Sequence, residues 1–405
     1  MRRIEWLVLV ALCASMSLAR AQIDPEPRKI VQIGYNQPLE GRGPLAAYAY
    51  LYWNIPDFPV TNRTLRLAIA PTYIDSEFGF RHCLGEQTDV AIGLAGGGFA
   101  DSFSEVRSGR FLQSESFAGH GGEGSVSLYH RVNPSQEIPL NLILRGVARY
   151  SAYVREDDTD PAFQLPDNRT TFAVRAGFRW GGREPLLVTK LAMEISGWYE
   201  GQLRGVHGAY GFAGDRDVNG DSHLFWARAL LNYTLPESGH QFSISATAGT
   251  SVNPDRFSAY RLGAILPMAS EFPLTLPGYY YQEITAQRFV LFNSQYLLPL
   301  NHTKTWSFTM FASTALVDYL DGFQQPGDWH SGVGGGLTYQ SPNGVWQVAF
   351  GYARGIDAIR SHGRGADTVG VALQFDLDRD MKQGGLFDPA KLRDRLRGLE
   401  GLFRR

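Results

Sequence analysis

Residues 368–377 read TVGVALQFDL, and their period decides the fold. In an extended chain Val369, Val371, Leu373, Phe375 and Leu377 face one way. Thr368, Gly370, Ala372, Gln374 and Asp376 face the other. Successive side chains of a strand alternate between faces, so this stretch is a strand with one apolar and one polar side. The pattern recurs upstream. Trp346, Val348, Phe350 and Tyr352 alternate with Gln347, Ala349, Gly351 and Ala353. Trp306, Phe308, Met310 and Leu316 alternate with Ser307, Thr309, Ser313 and Ala315. Phe172, Val174, Ala176, Phe178 and Trp180 alternate with Thr171, Arg175 and Arg179.

Working outward, fourteen such segments are read directly, centred near residues 49, 69, 93, 127, 146, 175, 193, 228, 245, 291, 311, 335, 349 and 372. Short connectors (181–185, 235–239, 299–302, 341–344) alternate with long ones (100–121, 154–168, 202–220, 253–283, 318–329, 355–367). Short turns at one end and long loops at the other are the signature of an outer-membrane barrel, and segments of this length suit a tilted spanning strand. Tyr199, Trp180, Tyr319, Trp329 and Phe375 fall near strand ends, where an interfacial girdle places aromatics. The fold class is therefore all-β, a transmembrane barrel over 45–377.

Composition agrees. Gly is abundant at 45, charged residues are only 19%, and the formal net charge is −2, so no global field selects nucleic acid. Arg2-Arg3, an apolar run from Trp6 to Leu18 and Ala19-Arg20-Ala21 read as a secretory signal peptide over 1–21. The mature chain would begin near Gln22 with Cys83 as its one cysteine, which excludes an internal disulfide framework. No later run of about eighteen apolar residues suggests a membrane helix. The expected location is the bacterial outer membrane, with its lipid as partner.

Residues 22–44 read as a short periplasmic lead carrying Pro25, Pro27, Pro38 and Pro44. Residues 378–405 read as a basic tail. Asp388-Pro389 can start a helix there, with Leu392, Leu396, Leu399 and Phe403 on one face. The connector 253–283 is far longer than a hairpin needs and rich in aromatics, so it is expected to pack back into the body of the protein, with 270–283 folding into the lumen. Leu276, Pro277, Gly278, Tyr279, Tyr280 and Tyr281 would contact the inner wall, where Ser307, Ser313 and Ala315 leave room. The wall itself reads as locally basic, with Arg145, Arg149, Arg175, Arg179, Lys190 and Arg228 against Glu194. It reads either as a solvated lumen wall or as a site for an anionic loop, lipid headgroup or substrate, with Glu271 and Glu283 as candidate loop partners.

These parts fall in a familiar order. From about 239 to 377 the chain resembles the C-terminal barrel of the bacterial surface antigen superfamily. That group includes outer-membrane protein insertion factors, two-partner-secretion translocators and the barrels of some patatin-like phospholipases. The resemblance rests on the Leu276-Pro277-Gly278-Tyr279 turn, on Gln295-Tyr296-Leu297-Leu298-Pro299-Leu300 and on Phe311-Ala312-Ser313-Thr314-Ala315. Its most specific parts are Ser331-Gly332-Val333-Gly334-Gly335-Gly336-Leu337 and Ser341-Pro342-Asn343-Gly344. It implies sixteen antiparallel strands, the missing pair lying in 22–60 or 100–121. It also implies an inward loop, and a role in protein or lipid translocation or assembly with a separate periplasmic protein. Pro277 stands where the family's loop arginine is expected, and Ser313 where its acidic partner is expected. Loss of both is self-consistent and suggests a loop locked by packing. The lead 22–44 is too short for the family's periplasmic domains, which implies a barrel-only member.

Other chemistry is sparse. Asp215, Asp217, Asn219 and Asp221 match the opening of a calcium loop, but Trp226 stands where its closing Glu belongs. Ca²⁺ is thus the one cofactor to consider, against a polar turn. His330-Ser331 lacks the further partners a hydrolase triad needs, so no enzyme activity is expected. Gly96–Gly98 and Gly334–Gly336 lie within strands and suit wall curvature. A structural or weakly conducting barrel without a client is the alternative reading.

Overall fold

The computed structural model describes residues 23, 26–98, 102–133, 138–181, 193–205, 208–266, 272–361 and 363–383. Sixteen strands build the wall. They are β1 Arg28–Pro38, β2 Ala46–Pro56, β3 Arg63–Ile69, β4 Tyr73–Phe80, β5 Thr88–Gly98, β6 Phe117–Arg131, β7 Leu140–Arg155 and β8 Arg169–Gly181. β9 Met193–Leu203, β10 Asp221–Thr234, β11 Gln241–Val252, β12 Ile284–Pro299, β13 Trp306–Tyr319, β14 Trp329–Gln340, β15 Trp346–Arg360 and β16 Gly363–Asp376 follow. Each pairs antiparallel with the next, and β16 returns to β1 from Ile30↔Asp376 to Pro38↔Thr368. The sheet thus closes on itself and leaves no unpaired edge, the condition for strands to live in lipid.

Alternation carries the physics of the wall. Phe172, Val174 and Phe178 of β8 and Phe242 and Ile244 of β11 are exposed on the outside. Arg175, Arg179 and Thr247, offset by one, face the lumen. Near the short-turn end Trp306, Tyr339 and Trp346 stack side by side, with ring centroids 4.8 and 5.1 Å apart. Trp180 and Trp329 are also exposed, as an interfacial belt needs. Tyr319 departs from the girdle reading. It is buried and turns inward to His330.

Two strands escaped the sequence reading. β1 occupies most of what reads as the lead 22–44, and β4 directly follows β3 through the tight turn 70–72. They are separate strands, not one hairpin. The connector 355–367 is also no long loop. β15 and β16 run on to Arg360 and Gly363 and meet at a tight turn. After β16 comes α1, Leu377–Lys382, capped by the Asp376 carboxylate, which accepts from Arg379 N at 2.9 Å. The signal peptide 1–21 and the tail helix at 388–403 lie outside the described residues. Among the described residues no helix is long and apolar enough to cross a membrane; the strands do the crossing.

Candidate functional site

The connector 253–283 between β11 and β12 begins in a cap made of the long loops. Asp255 Oδ1 accepts from Phe257 N and Ser258 N, both at 3.0 Å, and its other oxygen meets buried Arg204 at 2.5 Å. These bonds fix a turn that places Phe257 among Phe103, Phe117, Tyr153 and Tyr210. Tyr260–Leu262 then adds a short strand to Ile284–Ala286 of β12. From there the chain enters the lumen as a tongue held by its own backbone. Gly263 N, Ala264 N and Leu276 N donate to Leu274 O, Tyr280 O and Ala264 O at 3.0, 3.2 and 3.1 Å. Such internal pairing lets a loop leave water without orphaning its amides.

The tongue's tip sits directly on wall backbone. Gly278 has φ +85°, and a Cβ there would lie 1.7 Å from Gly355 N of β15. A Cβ on Gly332 of β14 would lie 2.0 Å from Pro277 O. Gly332 and Gly355 are register partners, so a bare patch of wall receives the Pro277-Gly278 turn. Leu276, Tyr279 and Tyr280 are buried, and Tyr281 is half-buried with its hydroxyl 3.0 Å from Gln282 Nε2. Tyr279 Oη lies 3.2 Å from His330 Nδ1, and Tyr280 Oη donates to Glu40 O at 2.9 Å.

The charge that fixes the tongue is Glu283. Arg360 Nη1 and Nη2 donate to its two oxygens at 2.8 and 3.0 Å, and Tyr280 N donates to Oε2 at 2.7 Å. The Arg360 guanidinium also covers the Tyr280 ring at 3.7 Å. Pairing with Arg360 corrects the expectation that Glu283 meets the β7–β10 arginines. Glu271 lies outside the described residues. Ser313 donates to Asn293 Oδ1 at 2.6 Å, a neutral wall contact beside the tongue.

The basic wall is more nearly neutral than the sequence count implies. Arg145 and Arg149 share Glu123 at 3.4 and 2.7 Å, and Arg175 meets Glu200 at 2.7 Å. Arg228 and Arg179 converge on fully buried Glu194 at 2.6 and 4.0 Å. Lys190 lies outside the described residues. The tongue reaches this wall through Phe272 rather than through a carboxylate. Phe272 packs edge-on against Trp198 and Trp226, with centroids at 5.3 and 5.7 Å, and lies under Arg228 at 4.8 Å. One loop therefore touches β8–β10 and β14–β15 at once. Arg149 keeps nearly half its side chain exposed, whereas Ala315, Leu291 and Ala358 beside the tongue are fully buried. The lumen is thus closely packed around the tongue and more open around Arg149.

Above the tongue the cap has its own charged core. Glu105, fully buried, faces Arg107 at 3.2 Å, Arg256 at 3.3 Å and Arg216 at 3.7 Å. Glu115 bonds Arg107 and Arg216. Burial pulls the neighbouring Arg261 guanidinium down to about 10, against the pull of Glu105, so it stays charged at neutral pH.

The calcium-loop residues go to separate partners. Asp215 meets Arg216 at 3.6 Å, and Asp217 lies in the short strand Arg216–Val218. Asn219 Nδ2 donates to Asn253 O at 3.0 Å, and Asp221 meets His223 at 3.3 Å. No group of three metal-binding side chains of the His, Cys, Asp and Glu types converges among the described residues. His330 and Ser331, adjacent in β14, face opposite sides of the wall. His330 meets Tyr279 and Tyr319, while Ser331 Oγ lies 3.1 Å from Thr314 Oγ1.

A closed barrel with an apolar outside, a polar lumen and an ordered inward loop is an outer-membrane barrel of bacteria. Solved structures share this fold. CdiB from Acinetobacter baumannii superposes with a TM-score of 0.57 at 10% identity, over 86% of this chain and 60% of that one. CdiB from Escherichia coli gives 0.56 at 11% identity, over 87% and 63%. BamA from Haemophilus ducreyi lacking POTRA domains 1–3 gives 0.51 at 12% identity, over 86% and 70%. The match thus spans about 60% of the length of the first of these, and the likeness is one of fold. No family model and no curated protein matches the sequence.

Proposed function

We propose that this chain is a translocation or assembly barrel of the surface antigen type, working with a separate periplasmic protein, and that its tongue holds the pore shut at rest. The observation that carries this reading is the seating of the Pro277-Gly278 turn on the Gly332–Gly355 pair of the wall. A passive pore gains nothing from wall glycines that fit a loop backbone. A gated one needs a defined closed position. The fold shared with CdiB and BamA barrels supports the same class.

Deleting 272–281 tests the plug. The variant should insert, remain heat-modifiable and conduct more than the intact chain in planar bilayers. Unchanged conductance would overturn it. Mild detergent extraction of native complexes tests the partner. A reproducible periplasmic protein supports the reading, and an isolated barrel with steady conductance would leave a structural or weakly conducting barrel.

A further inference from the structure

His330 lies where tongue and wall meet, and the directions of its hydrogen bonds fix its proton. Tyr319 Oη donates its one hydrogen to Gly327 O at 2.8 Å, since a carbonyl can only accept. The same oxygen bonds His330 Nε2, so it accepts there, and Nε2 carries the hydrogen. A neutral ring then leaves Nδ1 as an acceptor, and Tyr279 on the tongue donates to it at 3.2 Å. The chain Tyr279–His330–Tyr319–Gly327 is satisfied in one direction only, with a neutral imidazole.

We infer that this relay is a proton-sensitive latch, and that protonating His330 releases the tongue from the wall. The inference rests on the plug reading above. A second proton goes to Nδ1 and removes the acceptor that Tyr279 uses. The Tyr279 hydroxyl has no other bonded acceptor among the described residues, and both side chains are almost fully buried. Acid therefore turns this bond round, with Nδ1–H donating to the Tyr279 oxygen, and leaves the Tyr279 hydroxyl hydrogen without an acceptor beside a sealed charge, both unfavourable.

The surrounding charges are committed elsewhere. Asp357 of β15 accepts from Ser331 N at 3.0 Å and lies 3.8 Å from Arg364 of β16. Glu283 of the tongue is held by Arg360 of β15. Asp328 precedes β14 on the loop that also carries Gly327, and it adds negative charge on the wall side of the ring, as Asp357 does. None of these groups gives the Tyr279 hydroxyl a new acceptor.

The test is bilayer conductance of the full chain between about pH 7 and about pH 4, the range around and below an ordinary histidine's titration. Wild type should conduct more in acid by about two- to tenfold, the shift that one lost hydrogen bond produces. His330→Phe and Tyr279→Phe should each lose this acid response, and heat-modifiability on a gel shows whether each has assembled. Tyr279→Phe removes only a hydroxyl and guards against misfolding of the His330 variant. The 272–281 deletion should conduct at every pH. A conducting deletion with a pH-flat wild type would overturn the latch and leave the plug standing. So would an acid response that survives in an assembled Tyr279→Phe. A deletion that conducts no more than wild type would overturn the plug itself.

Discussion

Arg360 of β15 and Glu283 of the inward tongue form a two-point ion pair, at 2.8 and 3.0 Å, with 3% and 0% of their side chains exposed. The pair ties loop to wall five residues beyond the Pro277-Gly278 turn, and Tyr280 is clamped between the two charges. The acid is on the loop and the arginine on the wall, and neither stands at Pro277 or Ser313.

A buried pair of this kind costs most when broken from one side. Arg360→Met should destabilise the folded barrel by about 3–5 kcal/mol, because it strands the Glu283 carboxylate. Arg360→Met combined with Glu283→Gln should cost clearly less. Urea titration of the heat-modifiable form reads both. Simple additivity of the two single changes would show that the charges do not act as a pair.

The tip turn can be tested without touching a charge. Gly332→Ala puts a methyl group where Pro277 O now lies, 2.0 Å away, and the facing atoms are backbone. Neither side can yield cheaply, so the tongue should lift while the outer wall, which the methyl does not reach, stays closed. Limited proteolysis should cut within 272–283 faster than in wild type, with heat-modifiability unchanged. Equal cleavage would mean that the tongue is held elsewhere.

Much of this wall is legible in the sequence, and the exceptions have physical causes. The period of two marks β8, β13, β15 and β16 because each has lipid on one side and a polar lumen on the other. β1 alternates just as well, Val31, Ile33 and Tyr35 against Gln32, Gly34 and Asn36, but prolines flank it and suggest a lead. β4 is short and puts Asp75 and Glu77 into the lumen, so it merges with β3 by eye. Arg360 was out of reach for another reason. The register of β15 with β16 shifts between Gly355 and Ile359, and residues that face inward change parity across the shift, from Ala353 and Gly355 to Ala358 and Arg360. No strict alternation can anticipate that. Glu123 and Glu200, which neutralise much of the arginine wall, lie on partner strands whose register fixes the pairing. The tongue's contact through Phe272 leaves no local mark at all.

The calcium-loop residues give a prediction with the opposite sign to their motif. Asn219 spends its amide on Asn253 O, its backbone N donates to Asp255 at 3.0 Å, and Asp215 and Asp221 have cationic or imidazole partners. Chelation should therefore leave the protease sensitivity of 204–220 unchanged, and Asp217→Asn should match wild type. Calcium-dependent protection of that loop would show that the four residues regroup around an ion.

Glu105 is the centre of the loop cap and carries the last prediction. Its carboxylate is fully buried and faces three arginines from three segments: Arg107 from its own loop, Arg216 from the β9–β10 loop and Arg256 from the tongue's approach. The aromatic cluster around Phe117 packs the same loops from the apolar side. Glu105→Gln keeps the size of the side chain and removes its charge, leaving the arginines to repel one another in a dry site. Glu105, Arg107, Arg216 and Arg256 all lie outside the wall strands, so the barrel should still assemble and shift on heating. The cap should loosen, with external protease cutting 103–116 and 208–220 faster than in wild type. Adding Arg256→Met to Glu105→Gln should restore part of the protection by removing one of the stranded cations. If cleavage of both loops stays at the wild-type rate, the aromatic cluster alone holds the cap, and the buried charges contribute no net hold.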